Sequence, residues 1–124
     1  MEAVVRVLVC GGRKYANRDL VYEVLDDLRK EDSLEIGCGY NPRDKRYQGT
    51  DQLAYEWAKD RGVPGRAYPA HWNLHGNAAG PMRNQRMLEQ FGPDRVIALP
   101  GGGGTADMMR RAQAAGVPVY VVSD

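Results

Sequence analysis

Four consecutive glycines between a proline and a threonine, Pro100-Gly101-Gly102-Gly103-Gly104-Thr105, are the residues of this chain best suited to holding an anion. Glycines let a backbone approach a ligand closely with its N–H groups turned inward. A helix beginning at this point adds unpaired N–H donors and a partial positive charge. Thr105 is expected to cap that helix or to hydrogen-bond a phosphate oxygen. No Lys-Ser or Lys-Thr follows the last glycine, so the stretch is not a Walker A motif, and it is not GxGxxG either. Gly11-Gly12-Arg13-Lys14 repeats the arrangement near the N-terminus, where Arg13 can pair with a phosphate bidentately.

Three further groups could contribute chemistry. Gly37-Cys38-Gly39 precedes Gln48-Gly49-Thr50-Asp51, and Asp51 either complements a helix dipole or accepts hydrogen bonds from ribose hydroxyls. Between them the stretch Tyr40 to Tyr47 (YNPRDKRY) carries three cations and two tyrosines, as a lid or a partner contact would. The run Gly80-Pro81-Met82-Arg83-Asn84-Gln85-Arg86 places Arg83, Asn84 and Arg86 at a helix start, as candidate ligand contacts. His71 and His75 are spaced i, i+4, but the chain has two histidines in all, and no metal is expected. Trp72 between them either stacks on a base or packs.

The elements that position these residues follow from hydrophobic periodicity. Val4 to Cys10, Leu34 to Cys38, Arg66 to Tyr68, Arg95 to Leu99 and Val117 to Val122 read as strands, the third an edge strand given its flanking prolines. Helical spacing joins Leu20, Val21, Val24, Leu25 and Leu28 behind Asn17 as N-cap. Leu53, Ala54, Trp57 and Ala58 follow Thr50 as cap, with Gly62 closing that helix. Pro81 suits the first position of a helix that buries Met82, Met87, Leu88 and Phe91, after a polar loop from Pro69 to Gly80. Met108, Met109 and Ala112 follow Thr105, and Gly116 ends the last helix.

This alternation predicts an α/β fold, a Rossmann-like three-layer sandwich whose five-stranded parallel sheet carries helices on both faces. Right-handed crossovers favour the order 3-2-1-4-5. In such a sheet every strand-to-helix loop emerges at the carboxyl edge. The loops Gly11 to Lys14, Gly39 to Thr50, Pro69 to Gly80 and Pro100 to Gly104 therefore share one edge, where ligands of such sheets bind.

Composition bounds the partners. The 124 residues fit a single domain, 1–124, and 43% hydrophobic residues provide a modest core. Seventeen basic and 16 acidic residues give a net charge of +1, without the basic excess of a dedicated nucleic-acid binder. No apolar run is long enough to span a bilayer, and Met1-Glu2-Ala3 does not begin a secretory signal, so no membrane partner is expected and the default location is cytoplasmic. Cys10 and Cys38, at strand ends, read as small buried hydrophobes.

VLVCGGRKY, QGTDQLAYEWAKDRGVP, GPMRNQRML and PGGGGTADMMRRAQAAGVPV together resemble the YspA-type, cpYpsA-related branch of the SLOG superfamily, over nearly the whole chain. The resemblance implies a Rossmann-like sheet and a nucleotide-derived ligand; no cofactor is expected. Relatives in the superfamily commonly dimerise, so it also implies a homodimer. The wider superfamily includes the Lonely Guy phosphoribohydrolases, with a PGGxGTxxE signature and an upstream RKxxM block. Pro100 to Thr105 fit the phosphate loop, and Arg83 and Met87 fit the block, but Asn84 replaces its lysine and Met108 holds the place of the signature glutamate. Asp107 sits about 100° away around a helix.

The leading expectation is therefore a module that binds a nucleotide or a phosphorylated nucleotide derivative through Gly11, Gly12, Arg13, Gly39, Asp51, Arg83, Asn84, Arg86 and the stretch Pro100, Gly101, Gly102, Gly103, Gly104, Thr105. The alternative is an N-glycosidase acting on nucleoside monophosphates. There Arg83 orients the phosphate and Asp107 or Asp51 stabilises developing oxocarbenium charge. A third reading, single-stranded DNA binding, uses Arg13, Arg43, Lys45, Arg46 and Arg83 with stacking tyrosines.

Overall fold

The computed structural model describes residues 3–43 and 49–124. Strand β1 (Val4–Cys10) lies at the centre of the parallel sheet. It pairs with β2 (Ser33–Cys38) on one side and β4 (Arg95–Ala98) on the other. The edges are β3 (Gly65–Ala67) and β5 (Val119–Val121), which gives the order β3-β2-β1-β4-β5 among the described residues. This is the order that right-handed crossovers favoured.

Alternation along the central strands sorts side chains to two cores. Val7, Val9, Ile36, Ile97 and Leu99 pack with Val21 and Leu25 of helix α1 (Arg18–Glu31) and Trp57 of helix α2 (Thr50–Arg61). Leu8, Val96 and Ala98 face the other way. They meet Met87 and Phe91 beyond helix α4 (Ala79–Arg86), and Met108 and Ala112 of helix α5 (Gly103–Ala114). Helices thus cover both faces, as expected. Gly37 faces the second core as well, where a Cβ would lie 2.8 Å from the Phe91 ring.

Local chemistry explains several boundaries. The Asn17 side chain accepts from the Leu20 N–H at 3.1 Å and caps α1, and Gly62, at φ 66°, ends α2 in the left-handed conformation. Other boundaries differ from expectation. Thr50 is not the cap of α2; Gly49 is, and the Thr50 N–H and hydroxyl both donate to the Gly12 carbonyl, at 3.1 and 3.4 Å. Thr105 does not cap α5, which begins at Gly103 behind Gly102; Thr105 is buried in the first turn, its hydroxyl close beneath Gly101.

The segment 69–80 is not simply a loop. It contains helix α3 (Trp72–His75) and a 3₁₀ turn over Gly76–Ala78, and α4 then starts at Ala79. Pro81 is consequently its third residue, tolerated because first-turn N–H groups have no helical acceptor. Met82 is 48% exposed and not buried, because α4 turns Asn84 inward instead. A π turn over Met87–Phe91 continues α4 and ends at Gly92, in the left-handed region.

Helices α1 and α2 are joined through Asp26. Its Oδ1 accepts from Trp57 Nε1 at 2.8 Å and from Arg61 Nε at 2.9 Å, and its Oδ2 accepts from Arg61 Nη2 at 3.1 Å. The Arg61 and Trp57 hydrogen bonds hold the Asp26 carboxyl down to about 2, from the usual 3.8. A depressed carboxylate stabilises the fold fully above the unfolded value and loses that contribution as pH falls through the folded one. Asp26→Asn is therefore expected to lower unfolding free energy by about 1 kcal/mol at neutral pH, the pair being partly open and screened. In urea unfolding the deficit should close as pH falls towards 2; a deficit unchanged there would assign the effect to packing.

Candidate functional site

The chain turns away from β1 in opposite directions, to β2 on one side and to β4 and β5 on the other. The loops after β1 and β4 therefore diverge, which opens a crevice at the carboxyl edge. A cleft of about 880 Å³ occupies that position. Its walls come from the β1–α1 loop, Gly39, the start of α2, the 70–81 segment, α4 and the start of α5.

Gly12 ties three loops together. Its N–H donates to Pro100 O at 2.8 Å and its carbonyl accepts from Thr50. The approach is so close that a Cβ on Gly11 would strike the Thr50 hydroxyl and one on Gly49 would strike the Gly12 carbonyl. A Cβ on Gly101 would strike the Thr105 hydroxyl, and one on Gly12 would lie 3.0 Å from Pro100 O. Gly11, Gly12, Gly49 and Gly101 are thus required by the fold itself. At Gly102, Gly103 and Gly104 a Cβ would meet no atom of the described residues within 4 Å, although all three line the cleft. The N–H groups of Gly103, Gly104 and Thr105, in the first turn of α5, have no helical acceptor.

Opposite this helix start, Arg83 and Asp51 hold Gly39 from two sides. Arg83 Nη1 donates to Gly39 O at 2.8 Å, and the Gly39 N–H donates to Asp51 Oδ1 at 3.3 Å. A Cβ on Gly39 would strike the guanidinium. Burial pushes the Asp51 carboxyl above the usual range, against the pull of Arg83, the Gly39 N–H and Arg13. Burial likewise draws Arg83 downward, and Asp51 opposes it. The floor of the cleft thus carries a carboxyl and a guanidinium that balance each other, with Arg13 and Lys14 at the rim.

Asn84, 3% exposed, links this pair to the glycine stretch. Its Oδ1 accepts from Arg83 Nε at 3.1 Å, while its Nδ2 donates to Gly104 O at 3.2 Å and Asp107 Oδ2 at 3.0 Å. Asp107 also accepts from Arg110 at 3.1 Å and Arg111 at 2.8 Å. Burial works to raise its carboxyl, but the Asn84 and Arg111 hydrogen bonds and the two arginine charges leave it below the usual value. Asp107 lines the cleft as a fixed anion with both oxygens engaged.

Of the residues expected at the site, Gly11, Gly12, Arg13, Gly39, Asp51, Arg83, Asn84, Asp107 and Pro100 to Thr105 line the one cleft. Arg86 does not; its guanidinium donates to Pro69 O at 2.6 Å and ties down the 69–78 segment. His71 and His75 are exposed outside the cleft lining, and no group of three or more metal-ligating side chains occurs among the described residues. Arg43 is exposed outside the lining, while Lys45, Arg46 and most of the Tyr40 to Tyr47 stretch's basic half lie outside the described residues. Cys10 and Cys38 are free and buried, and burial pushes the Cys10 thiol up to about 12.

Sequence reasoning did not single out Tyr15 or Asn77, which also line the cleft. Tyr15 follows directly on the Gly12-Arg13-Lys14 run, a signal that could have found it. Its hydroxyl donates to Asp124 Oδ1 at 2.5 Å. No helix among the described residues is long and apolar enough to cross a membrane.

Comparison with known proteins places this geometry among relatives. The sequence model of the YspA, cpYpsA-related SLOG family matches residues 5–75. The Gene 61 protein of Mycobacterium phage D29 is 34% identical over 127 residues, covering 96% of this chain and 97% of its own. The crystal structure of Acinetobacter baumannii MurG superposes with a TM-score of 0.60 at 16% identity, over 96% of this chain. The chain spans 35% of that larger protein, and the likeness concerns the fold.

Proposed function

The chain belongs to the YspA, cpYpsA-related SLOG family, and from that premise and the cleft we propose that it binds a nucleotide or nucleotide-derived phosphorylated ligand. The phosphate rests on the first turn of α5, within reach of Arg13 and Arg83, and Asp51 accepts from the ribose hydroxyls. Gly103 and Gly104 carry this reading. Glycine costs about 1 kcal/mol relative to alanine in a helix interior and less in a first turn, where Gly103 and Gly104 stand, but it still favours the unfolded chain. The fold gives no steric reason for either one, since a Cβ there meets open space. A phosphate drawn onto backbone N–H groups that have no helical acceptor supplies the reason.

Binding without hydrolysis is the favoured mode. Asp107, the carboxylate nearest the signature position of the hydrolases, already serves Asn84, Arg110 and Arg111. A thermal-shift comparison of nucleoside monophosphates with their nucleosides tests the proposal. A ligand at about 100 times its dissociation constant adds about 2.7 kcal/mol, enough to raise the melting temperature by several degrees. Monophosphates should shift the transition and nucleosides should not. Equal shifts, or none from any nucleotide, would refute it.

A further inference from the structure

The ligand proposed above needs a place for its base, and the geometry points to the indole face of Trp72, over which Arg13 lies, as a stacking subsite for a heteroaromatic ring. This inference rests on the phosphate site at α5. Trp72 opens α3 and lines the cleft, and the Arg13 guanidinium lies over its ring, 4.6 Å from the centroid. The ring is seated against the start of α4, where a Cβ on Gly80 would come within 3.2 Å of Cη2. It is therefore a supported platform and not a loose side chain.

The other aromatic ring of the lining is committed elsewhere. Tyr15 packs against the core formed by α1 and α2, and its hydroxyl is held by Asp124. Tyr40, nearby in sequence, pairs with Tyr55 at a centroid distance of 5.3 Å. Among the described residues of the lining, Trp72 is the aromatic ring with a cation over its face that a phosphate can attract.

The exchange is chemically balanced. A base stacked on Trp72 replaces the cation–π contact of Arg13, and the displaced guanidinium turns to charge-assisted hydrogen bonds with the ligand's phosphate. One ligand carrying both a flat ring and an anion satisfies both partners at once. A sugar phosphate without a base satisfies only Arg13.

Tryptophan fluorescence reads this event in the intact protein. The chain has two tryptophans, and Trp57 is fully buried, bonded to Asp26 and outside the cleft lining. Titrations with AMP, GMP, CMP and UMP are compared with ribose 5-phosphate, which carries the same phosphate and pentose. The tightest nucleotide should bind about ten- to a hundredfold more tightly than ribose 5-phosphate and change Trp72 emission saturably. Measured by calorimetry, Trp72→Leu should bring that nucleotide down to the affinity of ribose 5-phosphate, leave ribose 5-phosphate binding no more weakly than before, and be largely rescued by Trp72→Phe. Equal wild-type affinities for nucleotide and sugar phosphate would overturn the base subsite and leave the phosphate site standing. So would a Trp72→Leu variant that keeps the wild-type ratio. Failure of all five compounds to bind would overturn both.

Discussion

Valine at both Gly103 and Gly104 is expected to weaken nucleoside monophosphate binding by about a hundredfold or more, while the melting temperature stays level or rises slightly. Hydrogen bonds to a charged group contribute about 1.5–3 kcal/mol each, so blocking two N–H donors removes at least two orders of magnitude. The fold should tolerate the change, because a Cβ at either position meets no atom of the described residues within 4 Å and neither has a positive φ. Valine is also a somewhat better helix former than glycine. Calorimetric titration together with thermal unfolding separates the two effects. Unchanged affinity would mean that the phosphate does not sit on α5, and a large fall in melting temperature would mean that these glycines serve the fold after all.

The second large effect is expected at Arg83. Arg83→Met removes donors to Gly39 O and Asn84 Oδ1 and withdraws the cation that opposes the burial of Asp51. Removing one partner of a fully buried ion pair costs about 3–5 kcal/mol; Arg83 is partly exposed and acts on Asp51 through its field, so the expected loss falls below that range, at about 2–3 kcal/mol. Nucleotide affinity should fall by about a hundredfold or more as a phosphate contact disappears.

The pH dependence has a definite sign. Asp51 is raised in the fold, so the folded state holds its proton more tightly than the unfolded chain does. Such a group lowers stability as pH rises from the usual carboxylate value of 3.8 through the raised one. Without Arg83 the elevation grows. The stability deficit of Arg83→Met should therefore be greatest at neutral pH and shrink as Asp51 takes up its proton in acid. A deficit independent of pH in urea unfolding would show that Arg83 and Asp51 are not coupled.

The sheet and its order were legible because they rest on local patterns. Val7 and Val9 alternate with Leu8 and Cys10, and the strand runs alternate with amphipathic helices. The carboxyl-edge gathering of glycines followed from that topology. The division of labour among the glycines was not legible. Gly11 and Gly103 look alike in sequence, yet Gly11 is constrained by Thr50, on another element, and Gly103 by no neighbour among the described residues.

The same limit applies to Asn84, which sequence placed at the site without its role. Its partners Gly104 and Asp107 lie 20 and 23 residues away, beyond any periodicity. Arg86 illustrates the opposite error, since polar density at a helix start does not say which arginine faces the cleft and which secures Pro69. Helix α3 escaped notice because four residues make a single turn, too short for a repeating pattern. Thr50 and Thr105 looked like caps because threonine is a common one; close approach of glycine backbone drew both into interloop packing instead.

The most direct measurement is the amide ¹H–¹⁵N spectrum of the protein titrated with the tightest-binding nucleoside monophosphate. If the phosphate rests on the first turn of α5, the Gly103, Gly104 and Thr105 amides should move far downfield and saturate together with binding. The Gly12 amide, already donating to Pro100, should move much less. Binding that leaves the three α5 amides in place would contradict the assignment of the phosphate to this helix.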